Sequence, residues 1–232
     1  GNLLVASADT TYTLTLTADA AITYTIVGTK KANYGTSVTT TVLTTLTETF
    51  IKASNPDIDD NFGKSVSING NYAIVGANGE DSDGTGPTNN SSLSSGAAYI
   101  LERNGSGVWS KTAYLKASNI VASDYFGFSV SINGNYAIIG AYKEAYGEDD
   151  SGAAYVFERN GSGVWAQTAY LKSSNVDAND YFGWSVAIHG DYAIIGAKWE
   201  DSNNISDQTN NTYAYSGAAY IFERNVSGVW SQ

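Results

Sequence analysis

Residues Tyr114 to Ala169 read YLKASNIVASDYFGFSVSINGNYAIIGAYKEAYGEDDSGAAYVFERNGSGVWAQTA. The same succession of residues runs from Phe50 to Ala113 and again from Tyr170 to Gln232. Phe62, Phe126 and Phe182 head the copies at spacings of 64 and 56 residues. A unit of this length, written three times, describes a stack of supersecondary elements that bury their apolar faces on one another.

Each copy holds four strand candidates. The first is FGKSVSI, FGFSVSI or FGWSVAI, followed by the turns Asn69-Gly70-Asn71, Asn133-Gly134-Asn135 and His189-Gly190-Asp191. Asn-Gly is a strong hairpin signal, because tight hairpin turns require positive φ. The second strand is NYAIVGA, NYAIIGA or DYAIIGA, and the third is SGAAYILER, SGAAYVFER or SGAAYIFER. Both are apolar on two faces, as strands covered on both sides are. The fourth begins at Val108-Trp109 or Val164-Trp165 and runs to the next YLKAS. The class is all-β, and small Gly and Ala in the inner strands suit the tapering blades of a β-propeller.

These residues resemble the FG-GAP repeat. Phe62-Gly63, Phe126-Gly127 and Phe182-Gly183 are followed by Gly76-Ala77, Gly140-Ala141 and Gly196-Ala197, while Asn78, Tyr142 and Lys198 stand where the family's pattern has Pro. The resemblance covers residues 50–232 as three repeats, 50–113, 114–169 and 170–232. It implies a β-propeller in an extracellular or cell-surface protein that binds partners, and calcium in some members. Three blades do not close a ring, since propellers have about four or more. A TETFIKAS strand over Leu46 to Ser54 matches the YLKAS strands and precedes the first blade. Two readings follow: a piece of a longer propeller, or head-to-tail self-association in which the front strand of one chain completes the last blade of another.

Residues 1–49 form a separate Thr-rich β segment with sixteen Thr. Tyr12, Leu14 and Leu16 alternate with Thr, as do Ile22, Tyr24 and Ile26, and a hairpin or tight corner is expected at Ala18-Asp19-Ala20. A third run covers Val38 to Phe50. The segment is the tail of an Ig-like domain, a linker or an assembly arm.

The 232-residue chain has a net charge of −11 and no Cys. That charge repels phosphate backbones, so nucleic acid is not an expected partner. No apolar run approaches the roughly 20 residues of a membrane span. A protein or glycan partner at a surface fits the neutral-polar composition better.

Candidate sites divide by residue type. The resemblance implies a DxDxDG calcium loop between the first two strands, as in integrin-type repeats, but this chain has Asn-Gly-Asn or His-Gly-Asp there. Cation candidates therefore come from the later acidic loops: Glu80, Asp81 and Asp83, then Glu148, Asp149 and Asp150, where alternating carboxylates could surround a hard ion. Glu144, Glu200, Asp201 and Asp207 lie in the same loops. These loops read as solvated acidic loops, with calcium, the one cofactor considered, as the alternative. Tyr142 and Trp199, in variable loops, are the ligand-contact candidates, with burial as the alternative reading. Asp60, Asp124 and Asp180, two residues before the FG phenylalanine, are expected to accept backbone N–H groups in turns. Trp109, Trp165 and Trp230 are expected between blades. Lys52, Lys116 and Lys172 and the recurring Glu-Arg pairs suggest cross-strand ion pairs, worth at most about 1 kcal/mol each if exposed. One histidine, His189, in a turn, offers no catalytic constellation. The expected function is non-catalytic: adhesion or extracellular assembly through loops and strand edges, with a carbohydrate-binding lectin as the alternative and a glycoside-processing enzyme third.

Overall fold

The computed structural model describes residues 11–17, 23–29, 49–86, 88–145, 148–202 and 213–232. The chain divides into two compact units, Gly1–Phe50 and Ile51–Gln232. In the first, β1 (Thr11–Thr17) pairs antiparallel with β2 (Thr23–Thr29), with Thr17 opposite Thr23. This is the hairpin expected from the two Thr-alternating runs, and its tip at Ala18-Asp19-Ala20 lies outside the described residues. The third run, from Val38, also lies outside them as far as position 48. Residues 49–54 form no strand, so the front strand expected over Leu46 to Ser54 is not present in its described part.

The second unit consists of three four-stranded antiparallel sheets, one per repeat. Blade 1 is β3 (Ser65–Asn69), β4 (Tyr72–Ala77), β5 (Ala97–Arg103) and β6 (Trp109–Leu115). Blade 2 is β7 (Ser129–Asn133), β8 (Tyr136–Ala141), β9 (Ala153–Arg159) and β10 (Trp165–Leu171). Blade 3 is β11 (Phe182–His189), β12 (Tyr192–Ala197), β13 (Ala218–Arg224) and β14 (Trp230–Ser231). In each, the strands lie side by side in chain order, as a meander. The first hairpin closes on Gly70-Asn71, with Asn69 opposite Tyr72. Gly70 has φ +58° and Asn71 has no positive φ. Only the first turn residue thus needs the left-handed region, as in a type II′ turn with Gly leading.

The FG pair lies outside the first strand in blades 1 and 2, contrary to the sequence expectation. Its role is to join blades. Phe126 N–H donates to Ser95 O of the preceding blade at 3.0 Å, while Gly127 N–H donates to Gly140 O of its own blade at 3.1 Å. Phe126 also forms a parallel bridge with Gly96 of the preceding blade, as Phe182 does with Gly152. The Ser65 hydroxyl donates to Gly127 O at 2.9 Å and that of Ser129 to Gly183 O at 2.7 Å.

Apolar clusters fill the two blade junctions. Ile74 and Ile100 of blade 1 meet Val130, Ile132, Ile139, Phe157 and Trp165 of blade 2. Ile138 and Val156 of blade 2 meet Ile188, Ile195, Phe222 and Trp230 of blade 3. At roughly 25 cal/mol per Å², burial on both faces is the main force holding these sheets together. Trp165 and Trp230 are buried in these junctions, whereas Trp109, on the open face of blade 1, is half-buried.

Candidate functional site

The recurring acids of the loops between the second and third strands of each blade do two different jobs. In each loop the chain turns back after the Gly-Ala pair, with Glu80 N–H bonded to Ala77 O and Glu144 N–H to Ala141 O. This places Glu80, Glu144 and Glu200 inside the blade, each no more than 2% exposed. Around them a chain of hydrogen bonds repeats. The hydroxyls of Tyr99, Tyr155 and Tyr220 donate to the Oδ1 atoms of Asn55, Asn119 and Asn175 at 2.7–2.8 Å. The Nδ2 atoms of those asparagines donate to Glu80, Glu144 and Glu200 at 3.0, 2.8 and 2.7 Å. Burial pushes all three tyrosine hydroxyls up from their ordinary pKa. Lys116 donates to Glu80 at 3.0 Å and Lys172 to Glu144 at 2.9 Å, with further bonds to Ser95 and Ser151. These lysines pair with the buried loop carboxylates, not across neighbouring strands as expected from the sequence. Burial lowers the Lys116 pKa, against the raising pull of Glu80.

Glu80 thus faces an ammonium within the blade. Asp81 Oδ1 accepts Ser94 N–H at 2.7 Å. Asp83 accepts from Thr85 N–H and its hydroxyl, Asn89 and Ser91, and those bonds hold its carboxyl down at about 2. In the second loop Glu148 and Asp149 are exposed, and Asp150 lies 3.4 Å from Lys143. No group of three or more metal-ligating side chains gathers among the described residues.

Asp60, Asp124 and Asp180 are buried at the turn before each FG pair. Asp60 accepts Asp57 N–H at 2.8 Å and Asp180 accepts Asp177 N–H at 3.2 Å. Burial raises all three, Asp124 and Asp180 to about 7, with Glu144 and Glu200 adding repulsion. Asp124 Oδ2 has no hydrogen-bond partner among the described residues.

Tyr142 and Trp199 belong to one aromatic cluster. Tyr181 joins them, 5.2 Å from Tyr142 and 4.4 Å from Trp199 between ring centres. Tyr125, Phe128 and Trp184 complete it: Tyr125 stacks on Tyr142 at 5.6 Å, and Phe128 lies 4.4 Å from Tyr142 and 4.7 Å from Trp184. Exposed Tyr215 extends it beyond Trp199 at 5.5 Å. Lys64 stands 4.5 Å from the Phe128 ring centre, Lys198 4.0 Å from Trp184, and Lys143 5.9 Å from Tyr125. Such cation–ring contacts are worth roughly 0.5–1 kcal/mol at exposed sites.

These rings come from fixed repeat positions. The residue before FG is Asn61, Tyr125 or Tyr181; the residue after it is Lys64, Phe128 or Trp184. The residue after Gly-Ala is Asn78, Tyr142 or Lys198. Blade 1 keeps the same four-stranded sheet with no aromatic at any of them. The rings are therefore not what makes a blade, and they line the one rim where the loops after β8 and β12 meet the approaches to β7 and β11. Sequence reading singled out Tyr142 and Trp199 but not Tyr125, Phe128, Tyr181 and Trp184. Their signal was aromatic replacement of a polar residue at the two repeat positions flanking the FG pair. His189 sits exposed in its turn, its Nδ1 3.4 Å from Asn133 Nδ2.

Three meandering four-stranded sheets, stacked face to face and joined by an FG pair lodged against a Gly-Ala pair, define a propeller-blade repeat protein. The FG-GAP repeat profile matches residues 47–101, 109–157 and 165–222, and the chain belongs to that family. A search of curated proteins finds no match. Among the described residues, no helix is long and apolar enough to cross a membrane.

Proposed function

We propose that this chain is a non-catalytic adhesion or assembly module that works outside the cell, at a surface, and holds a protein partner on the aromatic rim of blades 2 and 3. One observation carries the reading: the two positions flanking the FG pair are aromatic in blades 2 and 3 and polar in blade 1, although all three blades keep the same four-stranded order. Aromatic side chains supply large contact area with little conformational entropy to lose, which favours them in binding surfaces. The family's use as an interaction module supports the same reading. Strand edges are a second contact surface, through which chains associate head to tail.

The test uses beads coated with the chain and offered a cell-surface fraction treated with protease or with periodate, which destroys glycans. Retention that survives periodate, fails after protease and falls at least tenfold in Tyr142→Ala/Trp199→Ala is expected. The lectin reading is favoured by a separate observation: Tyr181 stacks on Trp184 at 11° and on Trp199 at 29°, a near-parallel series of rings. It requires the opposite outcome, retention lost to periodate, with a saturable signal on a glycan array.

A further inference from the structure

Two of the buried carboxylates hold an amine and an amide at the same time. In blade 1, Lys116 Nζ donates to Glu80 Oε2 at 3.0 Å and Asn55 Nδ2 donates to Glu80 Oε1 at 3.0 Å. In blade 2, Lys172 Nζ donates to Glu144 Oε2 at 2.9 Å and Asn119 Nδ2 donates to Glu144 Oε1 at 2.8 Å. The lysine side chains are 8% and 15% exposed, and the glutamate side chains 1% and 2%. At the other end of each amide a buried tyrosine hydroxyl, of Tyr99 or Tyr155, donates to Oδ1. Aromatic rings close over both places: Phe62 and Tyr114 pack against Tyr99, and Phe126 and Tyr170 against Tyr155.

Each part of this arrangement has a use in amide exchange. An amine attacks an amide carbon as the neutral base, and burial favours that form by lowering the Lys116 pKa. A carboxylate that touches both nitrogens accepts the proton the amine must lose and delivers one to the nitrogen that must leave. A hydroxyl on Oδ1 meets the negative charge that develops there. Stability alone is a weak reason for two successive blades to keep a buried ion pair, since apolar residues of similar volume serve about as well.

The geometry points to an amide bond that the folded chain forms on itself, between Lys116 Nζ and Asn55 Cγ in blade 1 and between Lys172 Nζ and Asn119 Cγ in blade 2. The lysine ammonium gives one proton to the glutamate, and the freed amine forms a C–N bond to Cγ. The surplus proton of the adduct moves, by way of the carboxyl group, to Nδ2. The Cγ–Nδ2 bond then breaks and ammonia leaves. The products are a secondary amide, one ammonia and a glutamate that keeps the first proton, with no oxidant, reductant or outside reagent taking part.

Asn55 precedes the first strand of blade 1 and Lys116 follows its fourth, and Asn119 and Lys172 bracket blade 2 in the same way. Each bond thus closes a whole blade into a covalent loop. Such a loop restricts the unfolded chain as a long disulfide loop does, in a chain that has no Cys. Tension along the chain would pass from one bonded side chain to the other without parting the strands between them. The inference is independent of what the aromatic rim holds.

The intact mass of the whole chain, with tandem mass spectrometry of its tryptic peptides, tests it. The wild-type chain is expected to weigh less than its sequence by two ammonias, and to yield branched peptides that join Asn55 to Lys116 and Asn119 to Lys172. Lys116→Met and Glu80→Gln are each expected to lose one ammonia only, from blade 2. The second of these keeps both bonding residues and removes the proton carrier. A wild-type mass equal to that of the sequence overturns the inference, whether or not either variant folds. Ammonia lost instead at Asn-Gly pairs such as Asn69-Gly70 and Asn133-Gly134, as cyclic imides that mild alkali reopens, overturns it as well.

Discussion

The carbonyl oxygen of Gly127 occupies the space that a Cβ on Gly76 would need. The FG pair of one blade is lodged directly against the Gly-Ala pair of the previous one, backbone on backbone, and Gly183 repeats this against Gly140. At Gly196 the obstruction is only the Ser185 hydroxyl. Gly76→Ala and Gly140→Ala must therefore push two blades apart, while Gly196→Ala can be relieved by a side-chain rotation. We expect the first two to cost about 3 kcal/mol or more and the third about 1 kcal/mol or less, by urea denaturation. Equal effects at Gly76 and Gly196 would show that blade contact is not what the glycine serves.

Removing one partner of a buried ion pair leaves the other charge uncompensated, at a cost of roughly 3–5 kcal/mol. Lys116→Met and Lys172→Met are expected to fall in that range, since Glu80 and Glu144 stay behind in the blade. Lys52→Met, made at low concentration, is expected within about 0.5 kcal/mol of wild type, because its side chain is exposed. Denaturant midpoints of the three variants provide the comparison.

Asp124 and Asp180 set a pH dependence of definite sign. Burial raises both to about 7 in the folded chain, against about 3.9 in an unfolded one. The folded state then binds more protons between these values, so stability falls as pH rises from about 4 to 7. Each group contributes on the order of 2–4 kcal/mol to that change. Asp124→Asn is expected to raise the melting temperature at pH 8 by several degrees, leave it nearly unchanged at pH 4.5, and flatten the slope between them. A melting temperature that climbs steadily from pH 5 to 8, in wild type and variant alike, would count against it.

Calcium at millimolar concentration is expected to leave the melting temperature within about 1 °C. The carboxylates of the best acidic loop already have partners: Lys116 for Glu80, Ser94 N–H for Asp81, and Thr85, Asn89 and Ser91 for Asp83. A bound ion would add a mass-action term of about 2.7 kcal/mol at a hundredfold excess over its dissociation constant. Differential scanning calorimetry with calcium and with a chelator would expose a shift of that size.

Most of the blade was legible from residues alone, because strand periodicity and Gly turns are local properties. Residues Tyr72 to Ala77 and Ala97 to Arg103 read as covered strands and are covered strands. The direction of a side chain in a loop is not local. Glu80 and Asp81 are neighbours in sequence, yet one is sealed in the blade and the other bonds the loop surface. What distinguishes them is the recurrence of Glu80, Glu144 and Glu200 at one offset from Gly-Ala, together with a recurring Asn and Lys. At position 145 the second loop has Ala where the others have Asp. The aromatic rim was legible only in part for a similar reason: Tyr142 and Trp199 are 57 residues apart in the chain, and only the stacking of blades brings Tyr181 between them. The FG pair's exclusion from the first strand in blades 1 and 2 was hidden too.

The stretch from Lys116 to Asn119 works as a splint. Lys116 reaches back to Glu80 in the blade just finished, and three residues later Asn119 reaches forward to Glu144 in the blade about to begin. The eight-residue difference between the two repeat spacings lies elsewhere, in the loop between the second and third strands. Duplication of one unit of coding sequence therefore carries a ready joint with it, whatever the length of the loop. An array of this kind can lengthen by copying while its outward loops diverge, because the parts that must agree travel together.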